Sequence, residues 1–136
     1  MSAGHYSVIQ YCPDRARAEA ANVGVVLLVP DRGFIKARTA PGNDRVRRMF
    51  NLKGERLDHM NAAKRAFESR FEVEAVHFHC AEDLVRFAGT RGNELLLTPP
   101  RSIRVDDPDA ELTSLFEEFV GGRAPKERRV VTRYVT

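Results

Sequence analysis

Three polar residues near the start of the chain could carry chemistry: Arg17, Glu19 and Asn22. A guanidinium, a carboxylate and an amide near one point can orient a polar ligand, or supply a general base together with its orienting partner. The same groups can instead tie down a loop, with Arg17 paired to Glu19 and Asn22 bonded to loop backbone. The structural interpretation is favoured, because a functional site normally also needs groups from distant parts of the chain.

A second candidate is a run of basic residues with apolar neighbours. It consists of Arg45, Arg47, Arg48, Lys53 and Arg56, interleaved with Met49 and Phe50. Cations that alternate with an aromatic residue can bind single-stranded nucleic acid. The spacing also fits a short helix with Val46, Met49 and Phe50 turned inward, and the cations would then form its solvated face. The second interpretation is favoured, and nucleic-acid binding stays as an alternative.

Metal and cofactor chemistry is weakly represented in the sequence. His77 and His79 are two residues apart and would share one side of a strand, but a zinc site needs further ligands, so we predict no metal site. The sequence contains no phosphate-binding loop, dinucleotide-binding glycine motif, nucleophile elbow or HExxH motif. We therefore predict no cofactor and favour an interaction role over an enzyme. Cys12 and Cys80 lack metal spacing and are interpreted as reduced core thiols of a cytoplasmic protein.

The elements that must position these residues follow from the hydrophobic pattern. Strands are predicted at 5–12, 22–29, 34–39, 94–98 and 103–105, and an extended segment at 72–80. Helical segments are predicted at 14–21, from Asp44, at 55–70, at 82–88 and after Asp107. Apolar residues occupy both faces of 22–29, which marks it as the central strand. Within it, Gly24 indicates a bulge or the close approach of another backbone.

Two local signals are sharper than the rest. Pro30 to Gly33 predicts a hairpin turn, with Gly33 in a left-handed conformation. The last helix has Asp107 as its cap and Pro108 in its first turn. Its core stripe is predicted to be Leu112, Leu115, Phe116, Phe119 and Val120.

The elements together predict one α+β domain over residues 1–122. We expect an antiparallel sheet of four or five strands with helices packed mainly on one face. Residues 123–136 are predicted to be a basic C-terminal extension that forms a strand at 129–135.

The charge of the chain is divided between two regions. The 136 residues carry a net charge of +3, but residues 32–70 hold a balance of +7 and residues 71–122 a balance of −7. A molecule with separated charges can associate with itself or with an acidic partner. The sequence has neither a secretory signal nor an apolar run that could span a bilayer, so we expect a cytoplasmic protein with no membrane contact.

The residues at both ends of the domain resemble a bacterial family known as domain of unknown function 3037. The first part of the resemblance is carried by Tyr6-Ser7, Tyr11, Pro13-Asp14, Arg17, Glu19 and Asn22-Val23-Gly24-Val25. The second part is carried by Leu96, Thr98-Pro99-Pro100-Arg101-Ser102, Asp107-Pro108, Leu112, Leu115-Phe116 and Val120. The chain departs from the family at 86–89, where it reads RFAG in place of an RFxWL segment.

The resemblance implies no established activity. It implies genomic neighbours that are kinase-like proteins related to serine/threonine kinase toxins, and it singles out Arg17, Glu19, Asn22 and Arg101 as candidate ligand-binding or partner-binding residues. The leading hypothesis is therefore a non-enzymatic interaction module that binds a partner protein, such as a kinase-like toxin or defence protein, or a second copy. The alternatives are a small enzyme or ligand binder that uses Arg17, Glu19 and Asn22, and a nucleic-acid-binding accessory protein.

Overall fold

One antiparallel sheet organises the computed structural model, which describes residues 1–13, 19–50, 54–89 and 95–121. Its strands are β1 (Ser2–Tyr11), β2 (Ala21–Val29), β3 (Phe34–Thr39), β4 (Leu95–Leu97) and β5 (Arg101–Val105). Its helices are α1 (Asp44–Phe50), α2 (Glu55–Val73), α3 (Ala81–Gly89) and α4 (Pro108–Phe119). Short 3₁₀ turns lie at Pro30–Arg32 and Ala75–His77. The predicted α+β class is confirmed.

The sheet has the order β3-β2-β1-β4, and β1 pairs with β5 as well as β4. β5 pairs with the first half of β1, and β4 pairs with its last three residues. Between them, the Val8 N–H donates to Thr98 Oγ1 at 2.8 Å, and the Thr98 N–H donates to the Val8 carbonyl at 2.9 Å. Pro99 and Pro100 have no backbone N–H to donate, so the hydrogen-bond ladder with β1 is interrupted between β4 and β5. The two strands therefore pair with different parts of β1.

β2 is the central strand that its sequence predicts. Its residues Val25 to Val29 are at most 1% exposed, with helices on both sides of the sheet. A Cβ on Gly24 would lie 2.8 Å from the Arg38 carbonyl oxygen, and the β1 register shifts between Ile9 and Gln10. The predicted close approach and bulge are therefore both present. The hairpin to β3 also follows its prediction, with Gly33 in the left-handed region at φ 59°.

The helices divide the core into two layers. α1, α2 and α3 cover one face of the sheet, where Phe67, Phe71, Phe78 and Phe87 pack against one another. α4 covers the other face with Leu112 and Leu115, beside the partly buried Phe116 and Phe119. Three of the four helices in the described chain thus lie on one face, and the predicted α4 stripe is confirmed.

Three local predictions need comment. The extended segment at 72–80 is wrong, because α2 continues to Val73 and a 3₁₀ turn follows at Ala75–His77. Phe71 explains the longer helix, since it continues the buried stripe of Phe67 by one more turn. The helical turn at 14–21 overlaps β2 at Ala21, and its residues 14–18 lie outside the described parts. The strand at 129–135 and the rest of the C-terminal extension also lie outside them.

Candidate functional site

Two of the sequence candidates lie at the same end of the sheet. Tyr11 at the end of β1 pairs with Ala21 at the start of β2 and with Leu95 at the start of β4. β3 also ends here, with Thr39 opposite Gly24. We call this the Tyr11 end. Asn22 lies at this end, and α1 follows β3 after a four-residue connection.

Asn22 links the sheet to α4 through both groups of its amide. Its Oδ1 accepts a hydrogen bond from Gln10 Nε2 at 2.9 Å, and its Nδ2 donates to the Phe119 carbonyl at 3.0 Å. The last carbonyls of a helix have no partner within the helix, so this donor caps the end of α4. Asn22 therefore fastens a helix that lies 97 residues away along the chain.

Of the other candidates in this group, the structure describes Glu19 and Arg101. Arg17 lies outside the described residues, and Glu19 is exposed two residues before β2. Arg101 is an exposed residue at the start of β5, opposite Tyr6 on β1. Tyr6 is four residues from Gln10, which places the two positions about 13 Å apart along the strand. A site composed of all four candidates stays a prediction.

α1 presents a basic surface at the Tyr11 end. Arg47 and Arg48 are exposed, and Met49 beside them is 50% exposed. On the inner side, Val46 is buried and the Phe50 ring meets the Tyr11 ring edge-on, with centroids 5.4 Å apart. The prediction of Met49 as an inward residue is wrong. Val46 and Phe50, four residues apart, supply the buried stripe, and Met49 lies outside it.

The remaining basic candidates surround this helix. Arg45 belongs to α1, and Arg56 is exposed in the first turn of α2. Lys53, between the two helices, lies outside the described residues. We define the α1 surface as Arg47, Arg48 and Met49, the three side chains whose exposure is established.

A buried lysine holds the connection between β3 and α1. Lys64 of α2 is 4% exposed, and its Nζ donates to the Ala40 carbonyl and to Asn43 Oδ1, both at 2.7 Å. A longer contact of 3.4 Å reaches the Gly42 carbonyl. Asn43 in turn bonds Asn61 of α2 at 2.9 Å and its carbonyl accepts the first N–H bond of α1. α1 is therefore anchored at its start by polar contacts and at its end by Phe50.

Burial lowers the pKa of the Lys64 ammonium, and the negative charge of Glu68 opposes that shift. Glu68 Oε2 also accepts hydrogen bonds from the backbone N–H and the hydroxyl of Thr39. Lys64 is an anchoring residue that the sequence analysis does not predict. One signal for it is the 4-3-4 spacing of Met60, Lys64, Phe67 and Phe71, which puts the four residues on one buried stripe. The Pro41-Gly42 break was the other signal, because its carbonyls require donors from elsewhere.

A second carboxylate fixes the start of α3. Asp83 Oδ2 accepts the backbone N–H groups of His79 at 2.7 Å and Cys80 at 3.2 Å, and Oδ1 accepts from Arg86 at 2.9 Å. The His79 hydrogen bond is the main cause of a lowered pKa for Asp83. The Asp83 side chain thus accepts from two backbone N–H groups that precede α3 and makes one half of a capping box.

The positions of His77 and Cys80 differ from those predicted from the sequence. His77 lies in the 3₁₀ turn, so it does not share a strand side with His79. No group of three or more His, Cys, Asp or Glu side chains that could hold a metal ion occurs among the described residues. Cys12 is buried, as predicted, but Cys80 is exposed.

No helix in the described ranges is both long and apolar enough to cross a membrane.

Comparison with known proteins gives one match. Residues 6–120 match the family described as "Protein of unknown function (DUF3037)", and the chain belongs to that family. No curated protein and no solved structure matches the chain significantly. The family supplies no reaction, so the surfaces of the molecule carry the functional argument.

Proposed function

We propose that this DUF3037 family member is a non-enzymatic interaction module that binds an acidic surface of a partner protein through the α1 surface. The single observation that carries the proposal is the exposure of Arg47, Arg48 and Met49 on a short helix that is anchored at both ends. Arginine and methionine are enriched at protein interfaces, whereas lysine and glutamate are depleted there.

The anchoring of α1 supports recognition by a preformed surface. Lys64 and Asn43 hold the start of the helix, and Phe50 packs on Tyr11 at its end. A surface that is already ordered loses less conformational entropy on binding. The two arginines also attract an acidic partner at long range, which raises the association rate at low salt.

Phe50 favours a protein partner over nucleic acid. Single-stranded nucleic acid is bound by exposed aromatic rings on which bases stack, together with a groove of cations that follows the backbone. The aromatic ring of α1 is instead turned toward Tyr11 in the core. The exposed apolar group is Met49, a flexible side chain suited to apolar protein contacts.

Asn22 makes the small-ligand alternative less favourable. Both ends of its amide already bond protein groups on β1 and α4. The family resemblance gives a first partner to test: a kinase-like toxin or defence protein with an acidic surface. We propose the cytoplasm as the place of this interaction.

The experiment is affinity capture from nuclease-treated lysate of the source cells. The wild-type chain and the variants Arg47→Glu, Arg48→Glu and Arg104→Glu serve as baits. Arg104 is an exposed arginine of β5, far from α1 along the chain, so its variant controls for the same change in net charge. We expect wild type and Arg104→Glu to retain one acidic protein that both α1 variants lose at least tenfold. Equal recovery by all four baits, or no specific protein with any of them, would contradict the proposal. Recovery that depends on omitting the nuclease would favour the nucleic-acid alternative.

A further inference from the structure

The outer face of α2 is unusual for a surface helix. Ala62, Ala66, Ser69 and Val73 are all exposed, and Val73 is 74% exposed. The solvent side of an amphipathic helix normally carries charged and polar residues. From Ala62 to Val73, the centre of that side consists of small or aliphatic residues instead.

The spacing of these four residues is 4-3-4. This is the spacing of the a and d positions of a coiled coil, which keeps a stripe facing one partner helix. The small side chains at 62, 66 and 69 allow a close approach of helix backbones, and Val73 is large enough to enter the gap beside a small residue. Val76, 72% exposed in the 3₁₀ turn that follows, adds a second aliphatic group near the same end.

Arg65 and Glu72 flank the stripe on one side. They are seven residues apart, so both lie on the same edge of the outer face, and both are exposed. Neither makes an ion pair with any other residue that the structure describes. Two such charges of opposite sign can be satisfied by an identical helix that runs in the opposite direction.

We propose that a second copy of this chain covers this face, with the two α2 helices antiparallel about a twofold axis near Ser69. This arrangement places Val73 of each copy against Ala66 of the other, and Arg65 of each copy within reach of Glu72 of the other. In a parallel pair the corresponding edges of the two helices lie on opposite sides of the seam, so Arg65 of one copy would not reach Glu72 of the other; flanking charges of this kind set the orientation of paired helices. The interface is isologous, so the contacts occur twice.

The dimer goes beyond the proposed function, because it uses a different surface. The helices overlap mainly from Ala62 onward, and α1 precedes α2 at its other end. Each dimer therefore carries two α1 surfaces, one toward each end of the helix pair. A partner with two acidic sites would then be bound with increased avidity.

Disulfide crosslinking tests the position of the axis. In a Cys80→Ala background, which removes the exposed native thiol, Ser69→Cys places two thiols near the axis, within the approximately 7 Å Cα separation that a disulfide tolerates. The matched control Ala62→Cys lies seven residues away, so its two copies are about 21 Å apart along the helices. We expect Ser69→Cys to crosslink under mild oxidation and Ala62→Cys to stay monomeric on a non-reducing gel. Crosslinking of both variants, of Ala62→Cys alone, or of neither overturns the proposal.

Charge reversal tests the flanking pairs. R65E places a carboxylate opposite Glu72, and we expect the dimer dissociation constant from sedimentation equilibrium to rise about tenfold or more, since two pairs are reversed. Adding E72R should bring it back to within about threefold of wild type. A wild-type chain that stays monomeric, or a double variant as weak as R65E, contradicts the arrangement. Arg48→Glu should leave dimerisation unchanged, so failure of the dimer and failure of partner capture are separate results.

Discussion

The two longest helices of the described chain lie on opposite faces of the sheet and present different surfaces to solvent. The outward residues of α4 include Asp109, Thr113 and Glu117, all exposed and polar. The outward residues of α2 include Ala62, Ala66 and Val73. α4 has the polar side that a helix needs in water, whereas α2 leaves apolar surface uncovered. The comparison suggests that α4 completes the fold and that the α1–α2 side serves binding.

The two sides are also fastened to the sheet by different chemistry. On the α4 side, Asn22 joins β2 to the last turn of the helix through neutral hydrogen bonds. On the other side, the charged Lys64 joins α2 to the connection that leads into α1. A buried charge depends on its partners more strongly than a buried amide does. The α1 surface should therefore be the more sensitive of the two to a single substitution.

Lys64→Met should have the largest effect on stability. The methionine keeps most of the apolar stem but leaves the Ala40 carbonyl and Asn43 without their donor, so we expect a loss of about 3 kcal/mol in the free energy of unfolding. The measurement is urea denaturation followed by circular dichroism. Arg48→Met, an exposed residue of α1, is the control and should change stability by less than about 0.5 kcal/mol. Similar losses for the two variants would show that Lys64 is not an anchor.

Asn22→Ala should destabilise the α4 side by about 2 kcal/mol, because it removes the donor to Phe119 and the acceptor for Gln10. Gln10→Ala removes only the second of these bonds and should cost roughly half as much. Thermal unfolding of the two variants side by side gives the comparison. If Asn22→Ala instead kept full stability and lost only partner binding, Asn22 would belong to a functional site and the assigned structural role would be wrong.

The caps of α3 and α4 offer a matched pair of aspartates. Asp83 accepts shorter hydrogen bonds than Asp107, whose contacts to Asp109 N and Ala110 N are 3.2 and 3.4 Å. We expect Asp83→Asn to cost about 1 kcal/mol, because it loses charge-assisted hydrogen bonds. Asp107→Asn should cost less, since asparagine caps a helix about as well as aspartate.

The pH dependence of these variants has a defined sign. Because the folded pKa of Asp83 lies below its ordinary value of 3.8, its contribution is fully present above that value and is lost as the pH falls through the folded pKa. The stability difference between wild type and Asp83→Asn should therefore shrink as the pH is lowered below about 4. A difference that stays constant from neutral pH to pH 3 would contradict this assignment.

Ser7→Ala should change the stability in the opposite direction. Ser7 is fully buried on β1, and its hydroxyl has no hydrogen-bond partner among the described residues. Removing it should stabilise the protein by about 1 kcal/mol. Thr98→Ala is the contrasting variant, because the Thr98 hydroxyl accepts the Val8 N–H and its loss should be destabilising. Melting temperatures that shift in the same direction for both variants would contradict the difference between these hydroxyls.

The parts of the fold that the sequence predicts are those in which several local signals agree. α4 has a cap at Asp107, a proline at its first position and a continuous apolar stripe, and all three appear in the structure. β2 and its hairpin can be predicted for the same reason. The apolar run favours a buried strand, and Gly33 favours the left-handed conformation of the turn.

The remaining features depend on contacts between distant segments. A lysine at position 64 resembles a solvated helix residue until the carbonyls of the β3–α1 connection are placed beside it. Asn22 is likewise expected from the sequence to bond loop backbone, because its actual partner Phe119 is 97 residues away. Periodicity predicts Met49 inward, but Val46 and Phe50 are the α1 residues that pack into the core, and Met49 is 50% exposed. The basic residues of the α1 surface could therefore be predicted from composition, but the contacts that anchor α1 to the rest of the fold could not.

Hydrogen–deuterium exchange of the chain with and without its captured acidic partner tests the central claim most directly. If α1 is the binding surface, the partner should slow the exchange of backbone amides in residues 45–50, while α4 exchanges as it does in the free protein. Protection confined to α4, or to the exposed edge of β5, with α1 unchanged would contradict the account.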